Sequence, residues 1–523
     1  MTTGKNYLLT IDNGTQSVRA LLFDTEGNLV DKTQVMMSTY ASPQAGWVEN
    51  DPEEFWRALC SACQQLWAKT AIPKSAVRAL TITTQRATVI NLDADGKPLR
   101  PAIIWLDQRR ATTKSNLPWY WNGIFSLIGM TDSIKYFHAE AEANWIAQHQ
   151  PEIWARTDKY LLLSGYLNHR FTGKFVDSVA SQVGYLPFDF KSGKWAAASD
   201  WKWLSLPIKL SMLPELAAAG TQIGTVSAAA AHDTGIPEGL PVIAGAADKA
   251  CEVIGAGCLT PEIACLSFGT AATVNTTTKK YLEATKYIPP YQAAIPNHYN
   301  TEVQITRGFW MVNWFKEQFG QHEQARAETL GVSPESLFDE LVSAVPPGAM
   351  GLMLQPFWNP GVRIPGPEAK GAIIGFGDVH TRAHLYRAII EGLTYALREG
   401  KERIEKRGGE KITRVRVAGG GSQSDAAMQI TANIFNLPSE RPHLYETSGL
   451  GAAVLGAVGV GLYADFPTAL KAMTRVGKIF EPQPQHVEIY EQLYRKVYCK
   501  MYARLQPLYH DIRQITGYPH GIE

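Results

Sequence analysis

The sequence predicts an α/β protein of two large domains, each a mixed β-sheet flanked by helices, with an active-site cleft between them. Its 523 residues exceed what one compact core supports, since cores stop growing at roughly 250–300 residues. Apolar strands, a helix and further strands follow one another near the amino terminus, and a comparable order returns from residue 263 onward. We place the domains at residues 1–248 and 249–523, the second ending in a helical segment from Lys471 onward.

The first domain opens with two apolar strands, YLLTI and VRALLFD, joined by a turn that contains Gly14. Asp51 as an N-cap and Pro52 at the first helical position predict a helix that runs through Trp67. The β-branched runs VRALTITT and TVINLD follow as strands.

The second domain repeats this strand–turn–strand arrangement. The apolar strand IACLSF precedes the turn Gly269-Thr270, and the strand TVNTTT follows it. A long helix over residues 380–407, the strand ITRVRVA and a helix over residues 425–435 come next. The repetition predicts two strand–turn–strand units that face each other across a cleft.

Composition excludes several classes of partner. Lys and Arg number 50 against 49 Asp and Glu, so no global field recruits nucleic acid or an anionic membrane, and a small-molecule partner is expected. No signal or transit peptide is indicated, which predicts a cytoplasmic protein. The apolar segment at residues 449–462 is shorter than the ~20 residues of a membrane span and predicts a tightly packed helix. Cys60 and Cys63 lie on an apolar helical stripe, which favours core packing over metal or redox chemistry.

The first turn carries a set of residues suited to phosphate: Asp12, Gly14, Thr15, Gln16 and Ser17. A strand-end carboxylate, a glycine that permits an unusual backbone angle and donor hydroxyls can together hold a nucleotide phosphate. Taken alone, the Asn-Gly pair equally indicates an ordinary hairpin. The second turn, Ser267-Phe268-Gly269-Thr270, favours the phosphate site, because two opposed hairpins could grip a triphosphate from both sides.

A glycine run ends a strand and opens a helix at Gly419-Gly420-Gly421, where backbone can approach a flat ligand or a phosphate closely. The run is not a dinucleotide fingerprint, which needs a third spaced glycine. A Walker-type G-x-x-x-x-G-K-[ST] loop is also absent from the sequence. A nucleotide would have to be held in another way.

Asp248 emerges from the buried run LPVIAGA, a placement typical of a general base and equally of a helix N-cap. Five further side chains offer the donors, acceptors and flat apolar face that polyhydroxyl ligands bind: Gln85, Arg86, Trp105, Asp107 and Arg109. Taken singly, each of these residues could equally lie at an ordinary position on the protein surface with no ligand to bind.

Together these motifs resemble the FGGY family of carbohydrate kinases, part of the actin-like superfamily of sugar kinases, actin and heat-shock chaperones. The resemblance spans nearly the whole chain. It is carried, in chain order, by Asp12-x-Gly14-Thr15-x-Ser17, Gly46-Trp47-Val48-Glu49 with Asp51-Pro52, Trp105-x-Asp107-x-Arg109, Asp248, Ser267-x-Gly269-Thr270, the stretch LQPFWNPGVRIP, and Gly419-Gly420-Gly421 with Ser424 and Gln429. Lys370-Gly371 departs from the family's usual Arg-Gly, and residues 84–88 fit no single substrate subgroup.

The resemblance implies two actin-like (ribonuclease H-like) domains with ATP and Mg²⁺ as cofactors. Asp248 would be the catalytic base, and Asp12 would organise the metal through water. ATP would be bound by Asp12, Gly14, Thr15, Gln16, Ser17, Gly269, Thr270, Gly419, Gly420, Gly421, Ser424 and Gln429. The sugar would be bound by Gln85, Arg86, Trp105, Asp107 and Asp248.

The implied activity is ATP-dependent phosphorylation of a small sugar or polyol at a hydroxyl group, and we expect a ketopentose such as xylulose. Autoinducer-2 kinases and other polyol kinases share the pattern and stay open as alternatives. Glycerol is not expected, because glycerol kinases carry Glu in place of Ala87 and lack the W-x-D-x-R motif. A catalytically degenerate nucleotide-binding protein, or a chaperone or filament protein, would need the hairpins but not Asp248. Related kinases are often homodimers, whereas the sequence leaves the oligomeric state open.

Overall fold

The structure is a computed structural model that describes residues 5–38, 40–112, 117–332, 334–361 and 365–518. Arg363 of the LQPFWNPGVRIP stretch lies outside these residues.

The first half of the chain forms strands β1 (Tyr7–Asn13), β2 (Ser17–Asp24), β3 (Leu29–Met36), β4 (Glu49–Asn50), β5 (Val77–Thr84), β6 (Val89–Leu92), β7 (Ala102–Ile103), β8 (Lys159–Leu162), β9 (Val176–Ser178), β10 (Phe188–Asp189), β11 (Lys194–Trp195), β12 (Glu215–Ala217), β13 (Gln222–Thr225) and β14 (Pro241–Ile243). Its helices are α1 (Pro52–Lys69), α2 (Trp119–Leu127), α3 (Thr131–Glu140), α4 (Glu142–His149), α5 (Pro151–Arg156), α6 (Leu163–Thr172), α7 (Trp201–Ser205), α8 (Ala228–Thr234) and α9 (Asp248–Gly255).

The second half forms strands β15 (Ile263–Phe268), β16 (Ala272–Thr278), β17 (Tyr291–Gln292), β18 (Tyr299–Ile305), β19 (Met353–Gln355), β20 (Ala372–Ile374), β21 (Arg414–Ala418), β22 (Ser439–Pro442) and β23 (Val476–Phe480). Its helices are α10 (Trp310–Phe319), α11 (Gln321–Leu330), α12 (Pro334–Ser343), α13 (Arg382–Gly408), α14 (Asp425–Phe435), α15 (Thr447–Gly459), α16 (Phe466–Met473), α17 (Pro484–Leu493) and α18 (Cys499–Thr516).

Two large mixed sheets repeat one topology. The first has the strand order β3-β2-β1-β5-β14-β13, and the second contains β18-β16-β15-β21-β22-β23 with β17 added beyond β18. In both, the first three strands run antiparallel, the next two join in parallel and the last is antiparallel. The predicted α/β fold and the duplication within it are therefore confirmed.

Individual elements agree with the sequence patterns with one exception. Asp51 caps α1 by accepting a hydrogen bond from the Glu53 amide at 3.0 Å, as predicted. The carboxyl-terminal segment was predicted to be helical, and this is wrong for Val476–Phe480. That stretch forms β23, the last strand of the sheet, because its backbone pairs antiparallel with β22.

Helix α9 lies between the two sheets. Ala250, Cys251 and Ile254 pack with α15 against the first sheet, whereas Val253 and Ala256 pack against β15 and β21 of the second. Helix α15, which comes from the second half of the chain, covers β1 and β5. The helix that begins at Asp248 therefore contacts both domains.

Helices α9 and α15 cross at two glycines. A methyl group added to Gly255 would lie 1.9 Å from the Thr447 carbonyl oxygen, and one on Gly451 would lie 2.0 Å from the Cys251 carbonyl oxygen. We expect Gly255→Ala to lower the free energy of unfolding by about 1–3 kcal/mol, because the added atom forces two backbones apart. Thermal unfolding of the purified variant measures this effect.

Gly123→Ala is the matched control, since Gly123 is also helical but no atom lies within 4 Å of an added methyl group. This change should leave stability unaltered or raise it by up to roughly 1 kcal/mol through helix propensity. Equal unfolding temperatures for the two variants would contradict the close crossing.

Within the described ranges, none of the helices combines the length and apolar character needed to span a bilayer. The apolar segment at residues 449–462 forms most of α15 and is packed as predicted. Cys60 and Cys63 are buried in the core between α1 and the first sheet, which confirms their predicted packing role.

Candidate active site

Five residues of the predicted motifs lie at or just after the carboxyl ends of parallel central strands in the two large sheets. Asp12 lies at the end of β1, Gln85 directly follows β5, and Asp248 follows β14. In the second sheet, Ser267 lies at the end of β15 and Gly419 directly follows β21. Carboxyl ends of adjacent parallel strands share one sheet edge, which is where ligands bind in open α/β sheets.

Asp12 is buried and paired with a residue that sequence analysis missed. Arg19 Nη1 lies 3.1 Å from Asp12 Oδ2 and 3.2 Å from Glu446 Oε2. Burial raises the pKa of the Asp12 carboxyl to about 6, since Arg19 offsets only part of its cost and the carboxylates of Glu446 and Asp248 add to it. The signal for Arg19 was the register of the hairpin between β1 and β2, which places Arg19 opposite Asp12.

The first hairpin is tight without using glycine's conformational freedom. The Gly14 amide donates to the Ser17 carbonyl oxygen at 3.1 Å, but the φ angle of Gly14 lies outside the left-handed region. An added methyl group would lie 3.5 Å from the Ser17 carbonyl oxygen, an ordinary contact. The predicted unusual backbone angle is therefore wrong. Gln16 is exposed, and Ser17 accepts a hydrogen bond from Gln34 at 2.9 Å.

The hairpin is joined to the predicted sugar residues through Thr15. Its hydroxyl donates to Gln85 Oε1 at 3.0 Å and accepts from the Trp105 indole at 2.9 Å. The structure therefore brings together three residues from distant parts of the chain that were predicted for two different ligands.

Two buried amide side chains beside this network retain unsatisfied polar atoms. Gln85 Nε2 and both amide atoms of Asn13 have no hydrogen-bond partner among the described residues, although Gln85 is 4% and Asn13 0% exposed. Buried polar groups in folded proteins are normally paired, so these atoms point to a polar ligand or to water. Sequence analysis missed Asn13, because its place in the turn gave it a structural explanation.

Arg86 links the first half of the chain to the second. Its guanidinium makes hydrogen bonds of 3.1 to 3.2 Å to both carboxylate oxygens of Glu302 on β18 and lies 5.2 Å from the ring centre of Tyr291. Contact of Arg86 with a sugar stays a prediction, since the described structure uses most of its donors in an ion pair between the two domains.

Asp107 belongs to a buried polar cluster. Its carboxylate accepts from the Arg109 guanidinium at 2.6 and 2.8 Å, from the Arg109 amide at 2.8 Å and from the Val48 amide at 2.6 Å. Arg109 also donates to Glu49 Oε1 at 2.7 Å. These bonds therefore fix the segment from Gly46 to Glu49 against the segment from Trp105 to Arg109. A sugar contact from Asp107 stays a prediction.

Asp248 is the first residue of α9 and is half-buried. Its Oδ1 atom accepts from the Lys249 amide at 2.7 Å. Lys249 Nζ lies 3.0 Å from Glu252 Oε2 and donates to the Ser267 hydroxyl of the second hairpin. Sequence analysis missed both Lys249 and Glu252, although Lys249 directly follows Asp248 and Glu252 lies one helical turn later.

The second hairpin is fixed against the residues before α10. The Phe309 amide donates to the Gly269 carbonyl oxygen at 3.0 Å, and the Gly308 amide donates to that of Thr270 at 2.9 Å. These bonds hold the backbone of the turn in place.

The glycine run packs directly on this hairpin. Gly419 has a φ of 83°, and an added methyl group would lie 3.0 Å from Phe268 backbone atoms. A methyl group on Gly421 would lie 2.5 Å from the Phe309 ring, which stacks on Phe268 with centroids 4.2 Å apart. No atom lies within 4 Å of one added to Gly420. The run thus adjoins the second hairpin and leaves one backbone position open.

Ser424 and Gln429 already have protein partners. Ser424 caps α14 by accepting from the Ala427 amide at 3.0 Å and donates to Asp339 Oδ1. Gln429 Nε2 donates to the Glu481 carbonyl oxygen at 2.8 Å. Nucleotide contacts from these two side chains stay predictions.

The carboxylates around Asp12 fit a hydrated Mg²⁺ ion. The charges of Glu446, Asp248 and Glu252 all raise the cost of ionising Asp12, a cost that a divalent cation would remove. Among the described residues, no group of three or more His, Cys, Asp or Glu side chains is placed to hold a metal directly. Mg²⁺ commonly keeps several waters and takes one or two carboxylates plus phosphate oxygens, so Asp12 acting through water is compatible with this arrangement.

Comparison with known proteins agrees with this architecture. The family described as FGGY family of carbohydrate kinases matches with its N-terminal domain at residues 7–255 and its C-terminal domain at residues 264–460. A protein of Escherichia coli K12 named "Uncharacterized sugar kinase YgcE" is 32% identical over 497 residues, which cover 94% of this chain and 92% of that protein. Xylulose kinase of Lactococcus lactis subsp. lactis IL1403 is 29% identical over 493 residues, covering 94% and 95%.

Among solved structures, the crystal structure of xylulose kinase from Rhodospirillum rubrum is similar with a TM-score of 0.79 and 26% identity, covering 97% of this chain and 100% of that one. The two matched domains together span most of the sequence. The chain therefore belongs to the FGGY family of carbohydrate kinases and is a sugar phosphotransferase.

Proposed function

We propose that this protein uses ATP with Mg²⁺ to phosphorylate a ketopentose such as xylulose at a hydroxyl group, with Asp248 as the general base. The observation that carries the proposal is the position of Asp248. Asp248 is the first residue of the helix between the two sheets. It lies close enough to the first hairpin for its charge to act on Asp12, and the adjacent Lys249 contacts the second hairpin.

Asp248 has an oxygen available for proton transfer. Its Oδ1 atom accepts from the Lys249 amide, whereas Oδ2 has no hydrogen bond within the described part of the chain. A general base must come within hydrogen-bond reach of the proton that it removes. Oδ2 would take the proton of the attacking sugar hydroxyl while Oδ1 holds the side chain in place.

The sugar pocket would lie beside the Thr15 network. Gln85 Nε2 would donate to a sugar hydroxyl, which would satisfy a buried donor that otherwise has no partner. The amide of Asn13 offers a further donor and acceptor, and Trp105 offers an apolar ring face. Recognition of hydroxyl groups by otherwise unpaired polar atoms discriminates strongly against analogues that lack them.

The two hairpins and the glycine run would position the nucleotide. When bound, Mg²⁺ would neutralise charge on the phosphates. Residues of this chain would hold the γ-phosphoryl group in line with the sugar hydroxyl, and positioning with electrostatic stabilisation carries most of the acceleration in such transfers. Burial of the site between two domains would exclude water, the competing acceptor.

The choice of xylulose rests on the relatives named xylulose kinase and on the W-x-D-x-R motif. The test is a coupled assay of ADP release with ATP and Mg²⁺ over a panel of ketopentoses, pentitols, autoinducer-2 and glycerol. We expect the highest kcat/KM for D-xylulose, and no stimulation by glycerol.

A different best substrate would overturn the choice of xylulose and leave the sugar kinase assignment intact. Nucleotide binding without stimulation by any sugar would instead favour a catalytically degenerate protein. A high sugar-independent release of ADP would contradict a site that excludes water.

A further inference from the structure

The ammonium group of Lys249 lies at the second phosphate hairpin. Its Nζ atom donates to the Ser267 hydroxyl and lies 3.0 Å from Glu252 Oε2. A methyl group added to Gly269 would lie 3.6 Å from the same atom. Lys249 therefore reaches from the helix that begins with Asp248 to the second hairpin.

Lys249 is charged in this position. Burial lowers the pKa of its ammonium, but the carboxylates of Glu252 and Asp248 outweigh that effect and raise the pKa above its usual value. The side chain is 17% exposed, so a ligand in the cleft can reach it.

The ammonium also retains bonding capacity. It has three N–H donors, and the described structure provides two acceptors, Glu252 and Ser267. Of the nearby guanidinium groups, Arg19 is paired with Asp12 and Glu446, and Arg86 is paired with Glu302. The cation that contacts the second hairpin is Lys249, through Ser267.

A cation at this place suits phosphoryl transfer. Charge in the transition state spreads over the three equatorial oxygens of the transferring group, and kinases of other folds place a lysine against their nucleotide phosphates. The Walker loop that would supply such a lysine is absent from this sequence. The hairpin at Gly269 has no basic residue of its own between Ser267 and Thr270.

We propose that Lys249 binds the γ-phosphoryl group of ATP and holds it beside Gly269 during transfer, an inference that rests on the proposed function. In that step a bond forms between the sugar hydroxyl oxygen and the γ-phosphorus, and the bond from that phosphorus to the β,γ-bridging oxygen breaks. ADP leaves with the electron pair, and the hydroxyl proton passes to Asp248. Lys249 stays protonated throughout.

The competing explanation is structural, with Lys249 serving only to neutralise the buried carboxylate of Glu252. Glu252 is 5% exposed and its Oε1 atom has no partner among the described residues, so loss of Lys249 would leave a poorly compensated charge. An informative experiment must therefore separate stability from phosphate binding.

Isothermal titration of the full-length protein with Mg²⁺ and either ADP or the non-hydrolysable analogue AMP-PNP makes this separation without any sugar. Lys249→Met should weaken AMP-PNP binding by about 10-fold or more, as expected for losing a hydrogen bond between charged groups. ADP binding should change by less than about 2-fold, since ADP lacks the γ-phosphoryl group. Lys280→Met removes an exposed ammonium outside the site and should change neither affinity.

The double variant Lys249→Met/Glu252→Gln removes the unpaired carboxylate. We expect it to recover the unfolding temperature lost in Lys249→Met but not the affinity for AMP-PNP. Recovery of both, or an equal loss of ADP and AMP-PNP affinity in Lys249→Met, would overturn the phosphate-binding role and leave the proposed kinase intact. Wild-type protein that binds neither nucleotide would overturn the proposed function as well.

Discussion

Asp248→Asn should fold normally and lose sugar phosphorylation by a factor of at least ~10², the low end for removal of a general base. Asparagine has nearly the same shape, and its carbonyl oxygen can still accept the Lys249 amide hydrogen that Asp248 Oδ1 accepts at 2.7 Å. It cannot take a proton from the sugar hydroxyl. The measurement is kcat in the coupled assay with the best substrate of the panel.

Two controls make the result specific to proton transfer. The variant should keep the wild-type unfolding temperature and should bind ADP with nearly unchanged affinity, because no nucleotide contact is assigned to Asp248. Asp511→Asn, an exposed position on α18, should leave kcat unaltered. Turnover of Asp248→Asn near the wild-type rate would show that another group removes the proton.

Local sequence patterns predicted the fold well, because each element carries its own signal. The strand VRALTITT matches β5 residue for residue, and IACLSF matches β15. The N-cap at Asp51 marks the start of α1. The strand β23 was missed because its formation depends on pairing with β22, a contact that local patterns do not specify.

The candidate site was predictable in outline but not in its side-chain contacts. Motif residues lie at the carboxyl ends of the strands on which the sequence placed them, since strand patterns fix those ends. Arg86 and Glu302 are 216 positions apart, and Lys249 contacts Ser267 of the second hairpin from helix α9. Such contacts depend on how distant elements pack together in three dimensions. The hydrophobic periodicity within one segment carries no information about that packing.

The glycines of the predicted phosphate motifs did not all indicate an unusual backbone conformation. Gly14 has an ordinary backbone angle, whereas Gly419 has a φ of 83° and packs against the backbone of Phe268. The same residue type therefore serves two purposes that a sequence does not distinguish. Of these two glycines, only Gly419 has a left-handed φ at which any side chain would be strained, whatever space surrounds it.

The cluster around Arg109 shows how a binding motif also stabilises the fold. Its guanidinium lies 2.6 Å from Asp107 Oδ2 and 2.7 Å from Glu49 Oε1. The side chains of Arg109, Asp107 and Glu49 are 1%, 4% and 10% exposed. It lies between two indole rings, 4.0 Å from the ring centre of Trp47 and 4.6 Å from that of Trp145. The loop that carries Trp105 is held in place by these contacts.

Arg109→Met should lower the free energy of unfolding by about 3–5 kcal/mol, because it leaves the buried carboxylate of Asp107 without its cation. For a domain of this size the unfolding temperature should fall by on the order of 10 °C, which differential scanning calorimetry measures. Methionine keeps part of the apolar volume between the indole rings, so the loss would report mainly the uncompensated charge.

Arg110→Met provides the matched comparison, since the neighbouring Arg110 is 36% exposed and pairs with Glu140 near the surface. Partly exposed ion pairs contribute about 0–1 kcal/mol, so its unfolding temperature should stay near that of the wild type. If Arg109 instead served sugar binding alone, Arg109→Met would keep its unfolding temperature and raise only the KM for the sugar. A fall in stability together with a raised KM would show that the cluster stabilises the fold and positions Trp105 in the pocket.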